Sequence, residues 1–371
     1  MSASERSISE RSSTLPRCRI TRLTSSINVP SSGVGRPSSS RRICDAAAAG
    51  RSGSGGVSDP AGSTAASFLP SVSDAGGLAV STGSSDWAAA GGDGPVESTA
   101  PTATDAAVAL MIPRMRILFL GDVVGKPGLS GVVQNIARLR MSLELDAVVV
   151  NAENADDGSG LRPKQHDDLI DAGVDGVTLG DHIYRRKEII QTLQKQPTIC
   201  KPANYPESAT GRTHMMLRCR GGKLAVISVM GRTFMRPVDD PYAALDRELE
   251  AIGQSADAVL VDVHGEATSD KQSIARYLDG RVTAVVGTHT HVQTNDARVL
   301  PGGTAAMCDV GMCGPHESII GRDIDRVLKT TTTFEPVAFH VATDDVRLCG
   351  ALIETNADGL ADSIEPFEER L

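Results

Sequence analysis

Residue types that bind metal ions recur in this chain wherever a strongly apolar run ends. Carboxylate, amide or imidazole side chains follow these runs at Asp122, at Asn151 with Glu153 and Asn154, at Asp181 with His182, at His264, and at His289 with His291. Apolar strands that open into such loops build sites at the carboxyl ends of an open α/β sheet. Oxygen ligands mixed with imidazoles suit divalent ions such as Mn, Fe or Zn, and two-metal centres hydrolyse phosphoesters. The pattern therefore predicts one site for a pair of divalent ions.

The predicted secondary structure explains how these loops could meet. From Met115 onward, apolar runs of strand length alternate with helical patterns. We predict strands at 115–120, 146–150, 175–179, 198–203, 257–263, 282–287, 296–300 and 304–309, and helices at 128–142, 163–172, 185–194, 240–253 and 268–279. A hairpin that turns at Gly221-Gly222 and a final antiparallel pair near 335–355 complete the path. This order predicts an α/β sandwich of two packed sheets with helices outside.

Residues 1–114 have a different composition from the rest of the chain. Ser, Gly, Ala and Arg dominate this stretch, which has almost no aromatic residues and no sustained hydrophobic period. Such a segment cannot bury enough apolar surface to offset chain entropy, so we expect a disordered extension. A start codon assigned too early would give the same extension, because Met111 and Met115 lie just before the first strand. The simplest division leaves one catalytic domain, residues 115–371.

Charge and cysteine content narrow the function classes. The formal net charge is −9, which argues against a broad basic surface for duplex nucleic acid but allows a small anionic substrate held by metals. The seven cysteines are scattered and form no C-x-x-C pair, so the sequence indicates neither a disulfide framework nor a zinc ribbon. No apolar run reaches the roughly 18 residues that span a bilayer. We expect a cytoplasmic protein that does not insert into membranes.

Asp122 has two competing interpretations. Aspartate often caps the helix that follows it, so metal binding is not the only reading of the GDVVG stretch. A phosphate-binding loop is excluded. The spacing from Gly121 through Gly125 to Lys126 is one residue too short, and Pro127 stands where Ser or Thr would hold magnesium.

The remaining candidates also have structural alternatives. Glu153 could be a solvated loop carboxylate, although its position fits a ligand that bridges two metals. His289 and His291 are the sharpest local signal, since two histidines at i and i+2 can both turn toward a site where the chain bends. A single histidine at a strand end, as at His264, is more often a structural residue than a metal ligand. The prediction that His264 binds a metal therefore depends on the other candidate ligands.

The order of these motifs resembles a known family. GDVVG, NAEN, GDH, HGEATSDKQ, GTHTHVQT and DVGMCGP follow one another across residues 115–355 as in the YmdB-like branch of the calcineurin-like metallophosphoesterases. The resemblance implies a four-layer α/β sandwich with a di-metal centre. It also implies phosphodiesterase activity on 2′,3′-cyclic nucleotides such as 2′,3′-cyclic AMP, in which the metals activate a water for attack on phosphorus.

Carried over by motif, the resemblance gives each residue a role. Asp122, Glu153 and His291 would hold one metal, and Glu153 would bridge to a second metal bound by Asp181, His264 and His289. Asn154 would bind a metal or the phosphate. His182 would be the general acid that protonates the leaving oxygen, a role worth about two to four orders of magnitude in rate.

One residue departs from the family pattern. The family has Gly-Asn-His where this chain has Gly180-Asp181-His182. A carboxylate can still bind a divalent ion, but its charge lowers Lewis acidity and repels an anionic substrate. It should also favour protonated His182. We therefore expect Asp181 to alter rate, pH dependence or metal preference, and Asp181→Asn to raise turnover.

Three functional hypotheses follow. The first is a metal-dependent phosphodiesterase acting on small nucleotides. The second is a regulatory protein that keeps the metals and binds a nucleotide but turns over slowly, a reading that Asp181 favours. The third is an interaction protein that works through residues 1–114. The late hairpins offer edges through which copies of the chain could pair as a homo-oligomer.

Overall fold

A computed structural model describes residues 114–371 of the protein. The predicted disordered extension, apart from Arg114, lies outside the described residues. None of the helices within residues 114–371 combines the length and the hydrophobicity that a membrane-spanning helix needs.

The first sheet has seven strands. They are β1 (Arg116–Leu120), β2 (Asp122–Val123), β3 (Ala147–Asn151), β4 (Gly176–Thr178), β11 (Met312–Pro315), β12 (Val346–Thr355) and β13 (Ala361–Arg370). The order is β2-β11-β12-β1-β3-β4, and β13 pairs with β12. Strands β1, β3 and β4 run parallel, so their carboxyl ends lie at one edge of the sheet.

The second sheet has six strands in the order β5-β6-β7-β8-β10-β9. They are β5 (His214–Cys219), β6 (Gly222–Met230), β7 (Ala258–His264), β8 (Ala284–Thr288), β9 (Arg298–Val299) and β10 (Ala305–Met307). Strands β6, β7, β8 and β10 are parallel neighbours. The crossover helices that join most of these parallel strands lie on the outer face of the sheet.

Six helices cover or flank the sheets. They are α1 (Gly125–Ser142), α2 (Pro163–Ala172), α3 (Ile189–Lys195), α4 (Pro241–Ile252), α5 (Thr268–Tyr277) and α6 (Ile324–Thr333). The first three pack on the outer face of the first sheet, where Val132, Leu169 and Leu193 join its core. Helices α4 and α5 cover the second sheet through Leu245 and Ile274.

Strand β1 illustrates the layering. Ile117 and Phe119 point into a core shared with Leu260 of the second sheet. Leu118 and Leu120 instead pack under the helices of the first sheet. Successive strand residues point to opposite faces, so a strand buried on both faces reads as an unbroken apolar run. The predicted four-layer α/β sandwich is confirmed.

Several local predictions were wrong. Residues 198–203 form no strand but only isolated bridges, at Ile199 and Pro202. The hairpin turns at Arg220-Gly221, because Gly222 already pairs with Cys219. The final antiparallel pair is β12 with β13, which together lie later in the chain than the predicted 335–355. Strand β13 ends in charged residues that face solvent. Helix α6 was not predicted; it is short, buries no side chain and ends in four threonines, whose β-branched side chains disfavour a helix.

Candidate metal centre

Four of the predicted ligands converge at the carboxyl edge of the two sheets. Glu153, Asp181, His264 and His289 each offer one ligand atom, and these atoms lie within 4.8 Å of one another. Glu153 and Asp181 follow β3 and β4 of the first sheet, whereas His264 and His289 end or follow β7 and β8 of the second. The cluster therefore exists only because the two sheets pack face to face.

Close packing beneath the cluster depends on Gly180. A Cβ atom on this residue would lie 2.2 Å from Cδ2 of His264. The glycine of the GDH motif therefore lets the loop after β4 approach the imidazole, which brings Asp181 Oδ1 to 3.4 Å from His264 Nε2.

A buried chain of hydrogen bonds fixes the tautomer of His264. The Thr288 hydroxyl donates its one proton to Asp262 Oδ1 at 2.7 Å, and it lies 2.9 Å from His264 Nδ1. Because that proton is already given to Asp262, Nδ1 must carry its own proton and donate to Thr288. Nε2 is thereby the atom of the neutral ring that is free to bind a metal, and it faces the cluster.

Asp262 is itself held by further donors. Its Oδ2 accepts the Thr178 hydroxyl at 2.6 Å and the Asn151 amide at 3.1 Å. All of these groups are fully buried. Burial, opposed by His264 and these hydrogen bonds, raises the pKa of Asp262. The polar groups below His264 thus all have hydrogen-bond partners, as buried polar groups need if they are to hold one orientation.

The ligand atoms of the cluster suit a divalent cation. Glu153 Oε1 is buried and accepts no hydrogen bond of good geometry, although His264 Nε2 lies 3.0 Å away. His289 Nδ1 lies 3.1 Å from the same Nε2. Carboxylate oxygens and imidazole lone pairs that face one another so closely repel unless a cation or extra protons lie between them.

Protons fill that role in the absence of metal. Burial lowers the pKa of His264, but Glu153 and Asp181 outweigh burial and raise the pKa well above its usual value. Burial together with His264 lowers the pKa of His289 to about 4, so this ring is neutral near pH 7. Glu266 Oε2 lies 3.4 Å from His289 Nε2, the ring nitrogen that does not face His264.

The other predicted ligands form an adjoining group. His291 Nδ1 bonds to the carbonyl of Ile320 at 3.0 Å, which leaves Nε2 facing Asp122 Oδ1 at 3.9 Å. The Asn154 amide nitrogen lies between them, 3.1 Å from His291 Nε2 and 3.4 Å from Asp122 Oδ1. Asp122 is wholly buried, and burial raises its pKa to about 6 despite the nearby histidines.

His182 lies at the open side of the centre. Its Nδ1 is 2.8 Å from Asn154 Oδ1, and its backbone N–H donates to Glu153 Oε2 at 2.9 Å. An amide oxygen can only accept, so Nδ1 carries a proton and Nε2 is the atom that can exchange one with a substrate. The side chain is 25% exposed, which permits that contact. Burial lowers the pKa of His182, but Glu153 and Asp181 produce a net increase.

All seven predicted metal ligands and His182 therefore lie in one region, and the structure adds residues that the sequence reasoning left without a role. Asp262, Thr288 and Thr178 are fully buried beneath His264. The available signal was an aspartate inside the apolar run AVLVDV, since a buried strand carboxylate needs dedicated partners.

Comparison with known proteins identifies the family. The YmdB-like protein family profile matches residues 118–367. The chain belongs to the YmdB-like family. The predicted family is thus confirmed.

Several known proteins are similar to this chain over most of their own lengths. A 2′,3′-cyclic-nucleotide 2′-phosphodiesterase of Bacillus subtilis (strain 168) is 42% identical over 240 residues, 65% of this chain and 91% of that protein. A crystal structure of a hypothetical protein from Thermus thermophilus has a TM-score of 0.65 at 42% identity, covering 69% of this chain and 99% of that one. A novel phosphatase from Mycoplasma pneumoniae has a TM-score of 0.65 at 29% identity, covering 70% and 95%.

Proposed function

We propose that this protein is a metal-dependent phosphodiesterase that hydrolyses small nucleotide diesters such as 2′,3′-cyclic AMP. Its class as a hydrolytic phosphoesterase rests on membership of the YmdB-like family and on relatives named as a phosphodiesterase and a phosphatase. The observation that carries the proposal is the convergence of Glu153, Asp181, His264 and His289 around an unpaired, buried carboxylate oxygen.

We propose two adjacent cation sites that share Glu153. We assign Asp122 and His291, with Glu153, to the first, and Asp181, His264 and His289, with Glu153, to the second. Asn154 contacts the first group and His182 at once, so it is placed to bind a metal or the phosphate. Manganese or iron suits this mixture of carboxylates and imidazoles, and zinc shares the same ligands.

Two bound divalent cations would lower the pKa of a water toward neutrality and offset the charge of the phosphoryl oxygens. The chain supplies position and a proton. Asn154 anchors His182 through Nδ1, so that the protonated ring presents Nε2–H toward the leaving oxygen.

The first test is hydrolysis of 2′,3′-cyclic AMP by full-length protein that has been stripped of metal and reloaded with Mn²⁺ or Fe²⁺. We expect turnover that requires metal and disappears in Glu153→Gln, which keeps the size of the side chain but removes its charge. Absence of turnover in protein that holds about two ions per chain would reject the enzyme proposal.

A second test isolates the general acid. His182→Gln should lower kcat for a poor leaving group by about two to four orders of magnitude while Mn²⁺ affinity stays near that of the wild type. A substrate with a good leaving group, such as bis(p-nitrophenyl) phosphate, should lose much less. Equal losses on both substrates would contradict the assigned role.

The alternative is a regulatory protein that binds metals and a nucleotide but turns over slowly. Asp181 favours it, because this third carboxylate reduces the net positive charge that two cations would present to an anionic substrate. Tight binding of 2′,3′-cyclic AMP by metal-loaded protein with negligible hydrolysis would support this alternative.

We further propose that the protein works in a reducing compartment such as the cytoplasm, on small phosphodiesters rather than duplex nucleic acid. All cysteines in the described part of the chain are unpaired. The net charge of −9 disfavours a long polyanion.

A further inference from the structure

The turn that carries His289 and His291 has an unusual backbone. Both histidines have positive φ, 98° and 64°. Residues other than glycine adopt this left-handed region at a cost, and it persists only where the surroundings enforce it. The two rings face different parts of the centre, His289 toward His264 and His291 toward Asp122. A turn that relaxed to negative φ would carry at least one ring away.

A buried carboxylate holds this turn from behind. Asp309 Oδ2 accepts the backbone N–H of Thr290 at 3.1 Å and the Thr290 hydroxyl at 2.8 Å. Asp309 Oδ1 accepts the backbone N–H of Gly311 at 2.9 Å, which fixes the orientation of the carboxylate itself. Thr290 lies between the two histidines, so its two bonds to one oxygen restrict the backbone of the whole turn.

Lys271 supplies the opposite charge. Its Nζ donates to Asp309 Oδ2 at 2.7 Å, and the two side chains are only 4% and 2% exposed. Gly287 makes room for the lysine, because a Cβ there would lie 2.7 Å from Lys271 Cδ and 1.8 Å from the carbonyl oxygen of Cys308. The HGEATSDKQ and DVGMCGP motifs thus meet behind the turn through Lys271 and Asp309.

We propose that Lys271 and Asp309 form a buried lock that acts through Thr290 to hold both histidines in their metal-binding positions. The inference rests on the proposed metal centre and adds positioning residues that are not ligands themselves. Because the histidines belong to different cation sites, the lock couples the two sites. Loosening it should weaken both ions together, whereas removal of one terminal ligand should weaken mainly one ion.

The test titrates metal-free, full-length protein with Mn²⁺ alone. Thr290→Val removes the hydroxyl bond to Asp309 but leaves the ion pair intact. We expect Mn²⁺ affinity to fall about tenfold or more at both sites, as is typical when a residue that orients a ligand is lost. Thr290→Ser, which keeps the hydroxyl, should restore affinity.

A matched control separates this effect from general loosening. Thr304 is a buried threonine whose hydroxyl bonds to the backbone of Leu278, Gly280 and Val282 rather than to Asp309. Thr304→Val makes the same chemical change in another part of the second sheet. It should lower the melting temperature without changing Mn²⁺ affinity.

A second variant removes the ion pair. Lys271→Met combined with Asp309→Leu leaves no lone buried charge, so the fold should survive where Asp309→Asn alone would leave Lys271 unpaired. We expect the double variant to keep its circular dichroism spectrum and to bind both Mn²⁺ ions at least as weakly as Thr290→Val. Wild-type affinity in the folded double variant and in Thr290→Val, or weakening of one ion only, would overturn the lock.

The titration distinguishes failure of the lock from failure of the enzyme proposal. Wild-type protein that binds two Mn²⁺ ions without hydrolysing 2′,3′-cyclic AMP would reject the enzyme, and the variants would still test the lock by their affinities. Wild-type protein that binds no Mn²⁺ would reject both.

Discussion

The two halves of the candidate centre are built differently. In the half around His264, ligand atoms of four residues face one another within 4.8 Å, and a paired network below fixes the ring. In the half around Asp122, the approach of His291 Nε2 to Asp122 Oδ1 is 3.9 Å, and the amide of Asn154 bonds across the gap. The half around His264 is arranged to bind a cation. In the half around Asp122, the Asn154 amide already occupies the hydrogen-bond acceptors of His291 and Asp122.

This difference predicts unequal metal affinities. A cation in the His264 half replaces protons and relieves repulsion among groups that are already in place. A cation in the Asp122 half must displace the Asn154 amide nitrogen, which already lies within hydrogen-bond distance of His291 Nε2 and Asp122 Oδ1. We therefore expect one tight ion, held by His264 and its neighbours, and one weaker ion.

Removing one imidazole from each half should give the largest effect. His264→Asn should abolish tight Mn²⁺ binding and reduce hydrolysis by about three orders of magnitude or more, because both the ligand and the oriented ring are lost. His291→Asn should leave the tight ion bound and weaken only the second. Calorimetric titration with Mn²⁺ resolves the two steps, and an equal loss of both ions in His291→Asn would break the proposed asymmetry.

Disturbing the network below His264 tests the origin of the tight site. Thr288→Val removes the acceptor for the His264 Nδ1 proton, so the neutral ring is free to take the wrong tautomer. We expect the tight ion to bind about 10- to 100-fold more weakly and the second ion to change little.

The matched control is Thr178→Val. Thr178 also donates to Asp262, but it does not contact His264. The same loss of Mn²⁺ affinity in both variants would mean that the charge of Asp262, rather than the tautomer of His264, governs the site.

Sequence patterns selected side chains that the structure brings together, but they described the outer surface less well. His264 and Glu153 each had a structural alternative in the sequence, and they became candidate ligands because several apolar strands in succession end in residues of this type. Asp262 and Thr288 were missed because their role depends on how two sheets face each other, which local periodicity does not encode. Helix α6 was missed although Ile324, Val327 and Leu328 have helical spacing, because the four threonines at 330–333 are β-branched and disfavour a helix.

Replacing Asp181 tests whether the tight half is too negative for fast turnover. Asp181→Asn keeps an oxygen ligand but removes a charge beside His264 and the substrate. We expect weaker Mn²⁺ binding in that half and turnover of 2′,3′-cyclic AMP raised by up to about tenfold, equivalent to roughly 1.4 kcal/mol of transition-state stabilisation. Steady-state kinetics at saturating Mn²⁺ measure this, and an unchanged or lower kcat would contradict the charge argument.

The smallest expected effect is a pH-dependent change in stability whose sign reverses on metal binding. In metal-free protein the folded pKa values of His182 and His264 are raised, so the stability they contribute is complete below the unfolded value of about 6.5. That contribution is lost as pH rises through the folded pKa values. His289, with a pKa of about 4, and Asp122, with a pKa of about 6, have largely released their protons by pH 7.

Between about pH 6.5 and 8, the melting temperature of metal-free protein should therefore fall by a few degrees. With saturating Mn²⁺ it should rise, because the ions bind only after His264 has lost its proton, and a higher pH favours that loss. Calorimetric scans at several pH values measure both slopes. His264→Asn is the control. In metal-free protein it should lose most, but not all, of the change of melting temperature with pH, because other titrating groups remain. A metal-free melting temperature that rises with pH would show that protons do not stabilise this half of the centre, and the predicted excess affinity of its ion would lose its physical basis.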